Sequence, residues 1–492
     1  MLKSKSLIMI ISLGCVLLLS TCSRTEKSPP STEKIPITTN SKSALADYYR
    51  GLAFANKLQQ EQAKACFLKA VESDPTFATA WLSLALVSAG INDFLSALDS
   101  AKAHSAHISE AEKLNIAAVE YGLLAMNIEQ SETLHKIVSL YPGDERAHIN
   151  LGNYLFGSQL YREAIQSYTA AININDELAA PYNMLGYSQR ALGNYGEAEK
   201  AFKRYIKLNS NNPNAYDSYA ELLLEMGRYR ESIEYYRQAL ALDSTFVASY
   251  LGIASNYNFL GESENARLEL EKGRLVAPNY IVLRQTIFAE AVSYVCEGKF
   301  DQALLMFDLS RKIAEENGDF ANIANDYVTM ANIYLELGKV DTALTLYDQA
   351  MQVIDESDLQ MGIKDNAHTV DLYNDARAHA AQGDYRLAKR EAEDFSNIAT
   401  AMKNPGQIRL SHQLNGLIAL HEKKYALAID QFEQSNQLNP QNLYRIGLAY
   451  EGLGDSEMAR AMFQRARELN ILNSMDQAWV LWKTRDLAVA PD

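Results

Sequence analysis

The sequence predicts an all-α chain built as a solenoid, and three observations predict it. A unit of 34 residues recurs in tandem over 145–246, with Gly152, Gly186 and Ala220 each 34 apart and Ala254 continuing the series. In each copy a second small residue follows 12 positions later (Ala164, Ala198, Ser232), and an aromatic four beyond that (Tyr168, Phe202, Tyr236). Apolar residues recur every three or four positions, as in Tyr182, Leu185, Tyr195, Ala198, Phe202 and Tyr205, which is helical periodicity. Small residues let two helices of a pair approach closely, and each pair leaves an apolar flank that only the next pair covers.

Taken in order, the chain opens with Lys3 and Lys5 ahead of an apolar run from Leu7 to Leu19. That run is shorter than the roughly 18 residues a membrane span needs, and it reads as an export signal over 1–21. The stretch Leu19-Ser20-Thr21-Cys22 looks like a bacterial lipobox, which makes Cys22 the candidate lipidation residue and implies membrane attachment through an N-terminal lipid. A plain cleaved signal and an uncleaved anchor are the alternatives. Residues 22–43, rich in Ser, Thr, Lys and Pro, read as a flexible tether.

The repeats begin near Ala44, where Gly51, Ala63 and Phe67 fill the three slots; Trp81, Leu84, Ala85 and Ala97 fill those of the second unit. The third, over 111–144, is degenerate, with Gln130 in place of its second small residue. With the three central copies and 247–280, the regular array spans 44–280 in about seven units. Gly193, Gly227 and Gly261 fall between the two helices of their units, where a helix end favours a left-handed residue.

Beyond 280 the period loosens: counted from Ala254, the small residues of the first helices fall at Ala291, Ala331, Ala376, Gly416 and Gly447, in steps of 37, 40, 45, 40 and 31. Extra residues at 315–320, 355–369 and 403–406 predict longer helices or projecting loops, so 281–473 is a looser array of about five units. Over 474–492, Trp479, Leu481 and Trp482 share a face and predict a helix capping the last pair.

The coupled slots, together with Trp81-x2-Leu84-Ala85 in the second unit, resemble the tetratricopeptide-repeat family pattern W-x2-L-G-x2-Y…A-x3-F…P. The resemblance implies a right-handed superhelical α-solenoid of helix-turn-helix repeats. It also implies a concave surface lined by the first helix of each pair, receiving peptides or partner helices. Carried over position by position, that wall comprises Arg146, Ile149, Asn153 and Phe156, then Asn183, Tyr187 and Arg190, then Asn214, Asp217, Glu221 and Leu224. Asparagine amides suit an extended peptide because they both donate and accept. The lysine and asparagine clamp by which some chaperone-binding relatives hold a terminal carboxylate is not reproduced: Tyr48 and Leu52 stand in the comparable first-unit slots.

Composition narrows the functional classes. The chain has 46 basic and 61 acidic residues, a net charge of −15, which disfavours sequence-independent nucleic-acid binding. No GxSxG, HExxH, Gly-rich phosphate loop or paired-cysteine motif is present, so neither catalysis nor a cofactor nor a metal is expected. His104 and His107 near Glu110 and Glu112 read as a solvated helix end. The sequence therefore predicts a non-catalytic protein-interaction scaffold of the cell envelope, anchored by lipid and facing the periplasm from the outer membrane. The alternative is a sensor module. The segment from Ser109 through Phe156 resembles repeat domains attached to bacterial kinases and winged-helix activators.

Overall fold

The computed structural model describes residues 34–485 apart from 58 and 89. Cys22 and the apolar run before it lie outside the described residues. Among the described residues there are 25 α-helices, one short 3-10 turn and no strand. The regular pairs are α1 (Lys42–Ala55) with α2 (Gln60–Ser73), α3 (Ala78–Leu86) with α4 (Ile91–Ala103), and α5 (Glu110–Leu123) with α6 (Asn127–Leu140). They continue as α7 (Glu145–Gly157) with α8 (Tyr161–Ile174), α9 (Ala179–Ala191) with α10 (Tyr195–Leu208), α11 (Pro213–Glu225) with α12 (Tyr229–Leu242), and α13 (Val247–Phe259) with α14 (Ser263–Leu275). The looser part holds α15 (Tyr280–Cys296) with α16 (Phe300–Glu316), α17 (Phe320–Glu336) with α18 (Val340–Glu356), and α19 (Met361–Gln382) with α20 (Tyr385–Ala401). It ends with α21 (Pro405–His421) and α22 (Tyr425–Glu433), α23 (Pro440–Leu453) and α24 (Ser456–Arg467), and a final α25 (Met475–Lys483). Each helix packs on its neighbours in sequence, so the chain forms an all-α solenoid.

Helix starts follow from capping chemistry. Ser109 and Glu112 form a reciprocal capping box at α5, satisfying two otherwise orphaned donors. Asp144 accepts from the Arg146 N–H at α7, while Asn212, Asn404 and Asn439 cap α11, α21 and α23, each followed by proline at the first helical position. Between the helices of a pair, Gly193, Gly227 and Gly261 take φ of +74°, +72° and +75°. Where the sequence has no glycine, Ala125 and Gln159 adopt the same left-handed conformation, at φ 55° and 60°, and bear its steric cost.

The small slots are explained by what they touch. A Cβ on Gly152 would lie 2.6 Å from the Tyr168 ring, and one on Gly186 2.7 Å from that of Phe202. Tyr168 and Phe202 are both fully buried. In the degenerate third unit, Gly122 makes the room that Gln130 needs, since a Cβ there would stand 2.5 Å from the Gln130 amide nitrogen.

The extra residues beyond 280 are spent mainly on helix: α15 to α18, α20 and α21 each have 17 residues and α19 has 22, against 13 or 14 in α4 to α14. Distant parts of the array also meet. Arg409 of α21 donates to the Ser158 carbonyl at 2.9 Å, Asn470 accepts from the Tyr229 hydroxyl at 2.7 Å, and Asn212 donates to the Lys57 carbonyl. The array thus coils until later pairs rest on the turns of earlier ones.

The last helix does more than the expected cap. It packs on α23 and α24, and also on α15. The Trp479 ring stacks on Phe300 at 5.0 Å and that of Trp482 meets Phe300 edge-on at 4.9 Å. Lys483 and Arg445 both reach Glu336 of α17. Helix α25 therefore joins the end of the array to the pairs α15–α16 and α17–α18, closing the second half on itself. Residues 34–41, expected to be tether, also differ: they are docked in extended form on the first four pairs, with Ile35 only 6% exposed.

Candidate binding groove

The inner ends of α1, α3, α5 and α7 enclose a cavity of about 490 Å³. Its wall combines amides (Asn56, Asn115, Gln130, Asn150, Asn153) with aliphatic side chains (Leu52, Leu82, Leu86, Val119, Leu134, Ile149). Tyr168 donates to Asn153 Oδ1 at 2.8 Å from the second helix of the pair, which leaves the Asn153 amide NH2 as a donor on the inner side. Asn150 donates to Asn115 Oδ1 at 3.2 Å, linking adjacent first helices. Leu86 is 58% exposed. Amide donors and acceptors beside aliphatic patches can bind polypeptide backbone and apolar side chains together.

The two ionised lining residues, Glu112 and Arg146, are committed elsewhere. Glu112 accepts from the Thr38 N–H at 2.8 Å, the Thr38 hydroxyl at 2.6 Å and the Thr79 hydroxyl at 2.7 Å, besides Ser109. Burial pushes its carboxyl upward, but these bonds outweigh burial and hold it below the ordinary carboxylate range. Arg146 forms a two-pronged contact with the fully buried Asp144, at 3.0 and 2.5 Å, and donates to the Ile35 carbonyl at 2.7 Å. Burial likewise opposes ionisation of Asp144, and its bonds from Arg146 and Ile35 prevail, leaving its carboxyl lowered.

The sequence-derived wall divides in two. Arg146, Ile149 and Asn153 line the cavity, with Phe156 at the end of α7 packed edge-on against Tyr161 at 5.5 Å. The remainder is turned inward. Tyr187 donates to Glu221 at 2.8 Å, and Arg190 sits between Glu221 at 2.8 Å and Glu225 at 3.2 Å. Asp217, 8% exposed, accepts from Ser249 at 2.7 Å. Its carboxyl is pushed up to about 7, first by burial and further by Glu221, against the lowering effect of Ser249. Asn214 accepts from Tyr205 at 2.9 Å, Asn183 is 4% exposed, and Leu224 is fully buried. These residues form an internal network across α9, α11 and α13. Asn183, Asp217 and Leu224 are buried, and Tyr187, Arg190, Asn214 and Glu221 are only partly exposed.

Sequence reasoning passed over most of the cavity wall. Ser83, Leu86, Asn115 and Val119 occupy inner positions of α3 and α5, and Asn56 caps the end of α1; the helical period places them once the first helices are known. The contribution of Ile35 and Pro36 to the wall has no repeat signal.

Family models match parts of this repeat array. Three segments match tetratricopeptide-repeat models, at residues 48–77, 183–245 and 441–470. The chain is thus an all-α tandem-repeat solenoid, three segments of which match tetratricopeptide-repeat models. It is similar to a TPR repeat-containing thioredoxin, TTL4, of Arabidopsis thaliana, at 36% identity over 78 residues, 16% of this chain and 11% of that protein. Superkiller protein 3 of Schizosaccharomyces pombe is 24% identical over 233 residues, 45% of this chain and 17% of that protein. The chain therefore spans less than a fifth of the length of these relatives. Among solved structures, MamA aligns at 19% identity with a TM-score of 0.29, over 34% of this chain and 91% of MamA. The thermophilic TPR protein TTC0263 of Thermus thermophilus aligns at 18% identity with a TM-score of 0.33, over 39% of this chain and 99% of its own.

Proposed function

We propose that the protein is a non-catalytic interaction scaffold of the bacterial cell envelope, attached through a lipid on Cys22, that holds a partner protein in the groove of its first four pairs. Proteins built of tetratricopeptide repeats generally bind protein partners. The observation that carries the reading is the cavity itself, an inner wall of neutral amides and aliphatic side chains on four successive first helices. The lipobox-like sequence before Cys22 supports the anchor, and Ser23 after it favours the outer membrane by resemblance to the enterobacterial sorting rule.

The test combines two variants. Ile149→Glu with Asn153→Arg places charge on the cavity wall and is expected to abolish recovery of the partner from crosslinked cells, with the helical content unchanged. Leu305→Glu, at a side chain 63% exposed on α16, is expected to retain it. Equal recovery from both would refute the groove as the partner site. Separately, Cys22→Ala is expected to move the protein to the soluble fraction, and persistent membrane association would refute the anchor.

A further inference from the structure

The segment Lys34–Thr39 has no counterpart in the repeat, yet it is held as firmly as a core element. It runs against the order of the pairs. Lys34 pairs with Glu145 at the start of α7, and the Ile35 N–H donates to Asp144 at 2.7 Å. The Thr38 N–H donates to Glu112 at the start of α5, the Thr39 hydroxyl bonds Asp74 at 2.6 Å ahead of α3, and Ser41 caps α1. The acceptors at α7 and α5 are themselves buried, Asp144 at 0% and Glu112 at 2% exposure. Removing the segment would take donors away from two buried carboxylates, which favours a permanent element over a displaceable one. Ile35 and Pro36 then form one side of the cavity.

We propose that Lys34–Thr39 is a fixed wall of the groove, and that Ile35 and Pro36 help to select its occupant, a single extended, uncharged segment of a partner protein with aliphatic side chains. This rests on the groove being the partner site, and it adds which segment fits there and why. The first reason is hydrogen bonding. The wall carries the side-chain amides of Asn56, Asn115, Gln130, Asn150 and Asn153, which can pair with the free N–H and C=O groups of an extended chain, whereas a helix has already paired its own backbone groups. The second reason is charge. Both ionised lining residues are already satisfied, Arg146 by Asp144 and Glu112 by Thr38, Thr79 and Ser109. A charged side chain on the occupant would lose its hydration and find no free counter-ion.

The test selects random 16-residue peptides displayed on phage against the full-length protein, then measures the affinity of a selected peptide for variants. The expected peptides carry an uncharged, aliphatic core. Their binding is expected to weaken at least tenfold with Ile35→Asp and with Ile149→Asp, and to survive Ile35→Val. Pro36→Glu provides a second variant, because Pro36 is exposed and takes no part in the docking bonds; it too is expected to weaken binding, with thermal unfolding unchanged. Binding lost with Ile149→Asp but indifferent to Ile35→Asp and Pro36→Glu would overturn the wall and leave the groove standing. Tighter binding in Ile35→Asp would overturn it as well, by showing the segment to be a competitor. Selection of no peptide, or of peptides indifferent to all these variants, would sink the groove reading itself.

Discussion

Asn153 and Asn332 occupy the same slot in two regions of the array and meet different fates. Each accepts from a tyrosine 15 residues later, Tyr168 at 2.8 Å and Tyr347 at 2.7 Å. Asn153 remains exposed beside the groove, whereas Asn332 also receives Arg377 of α19 at 3.0 Å. The surroundings make the difference. Around α7 the first helices are short, and among the described residues the groove between them is lined only by residues up to Tyr154. Around α17 the helices are longer, α25 returns across the array, and Glu336 gathers Arg445 and Lys483 onto the inner side. Whether an inner wall stays open is therefore decided by what folds over it, and not by the slot pattern of its own unit.

The largest expected effect breaks the closure of the second region. Trp479→Ala removes a side chain 2% exposed that stacks on Phe300, and truncating a buried tryptophan costs about 3–5 kcal/mol. Hydrogen exchange is expected to quicken in α15, α16 and α23 while α7 to α10 keep their wild-type rates. Quickening throughout would mean the regions are not energetically distinct. A smaller loss is expected in the first region from Gly186→Ala, since its Cβ would lie 2.7 Å from Phe202 and such overpacking costs about 1–3 kcal/mol. Denaturant unfolding should report it in α9 and α10.

The regions also differ in their response to pH. In the second, the Asp371 carboxyl is pushed up to about 7 by burial, then by Asp375, Asp348, Glu391 and Asp355. A carboxyl raised in the folded state contributes stability below its ordinary value near 3.8, and that contribution is lost as pH rises through about 7. Asp371→Asn is therefore expected to stabilise the second region at pH 8 and change it little at pH 4; a benefit equal at both would contradict the assignment. The smallest effect belongs to the turn of α7 and α8, where Gln159 takes φ 60°. Gln159→Gly should relieve that strain and gain up to about 1 kcal/mol, visible as a modest rise in Tm.

The regular part of the fold was legible because its contacts are local. Gly186 must meet Phe202, and Gly193 must turn left-handed, within one 34-residue unit. The helix at Trp479 was legible as well, but not its second partner, because Phe300 lies far away in the chain and no periodicity links the two. Arg146, Ile149 and Asn153 were legible as inner residues, while the burial of Asp217 and Leu224 was not. Asp217 looks like a solvated acid on a first helix until Ser249 and Glu221 are placed beside it. Residues 34–39 read as tether because the surrounding stretch is rich in Ser, Thr, Lys and Pro, and Ile35 and Ile37 alone carry no repeat signal. What orders them is Asp144 and Glu112, which in sequence are ordinary helix-capping residues.

The central claim is that an open groove in the first four pairs does the binding while the closed second region does not. A photo-crosslinking phenylalanine derivative placed at Leu86 in the groove, and at Leu305 on α16, tests it most directly. A partner joined through position 86 and absent from position 305, and lost when Ile149→Glu is combined with the probe at 86, is the expected result. The same species joined equally through both positions, or through 305 alone, would contradict it.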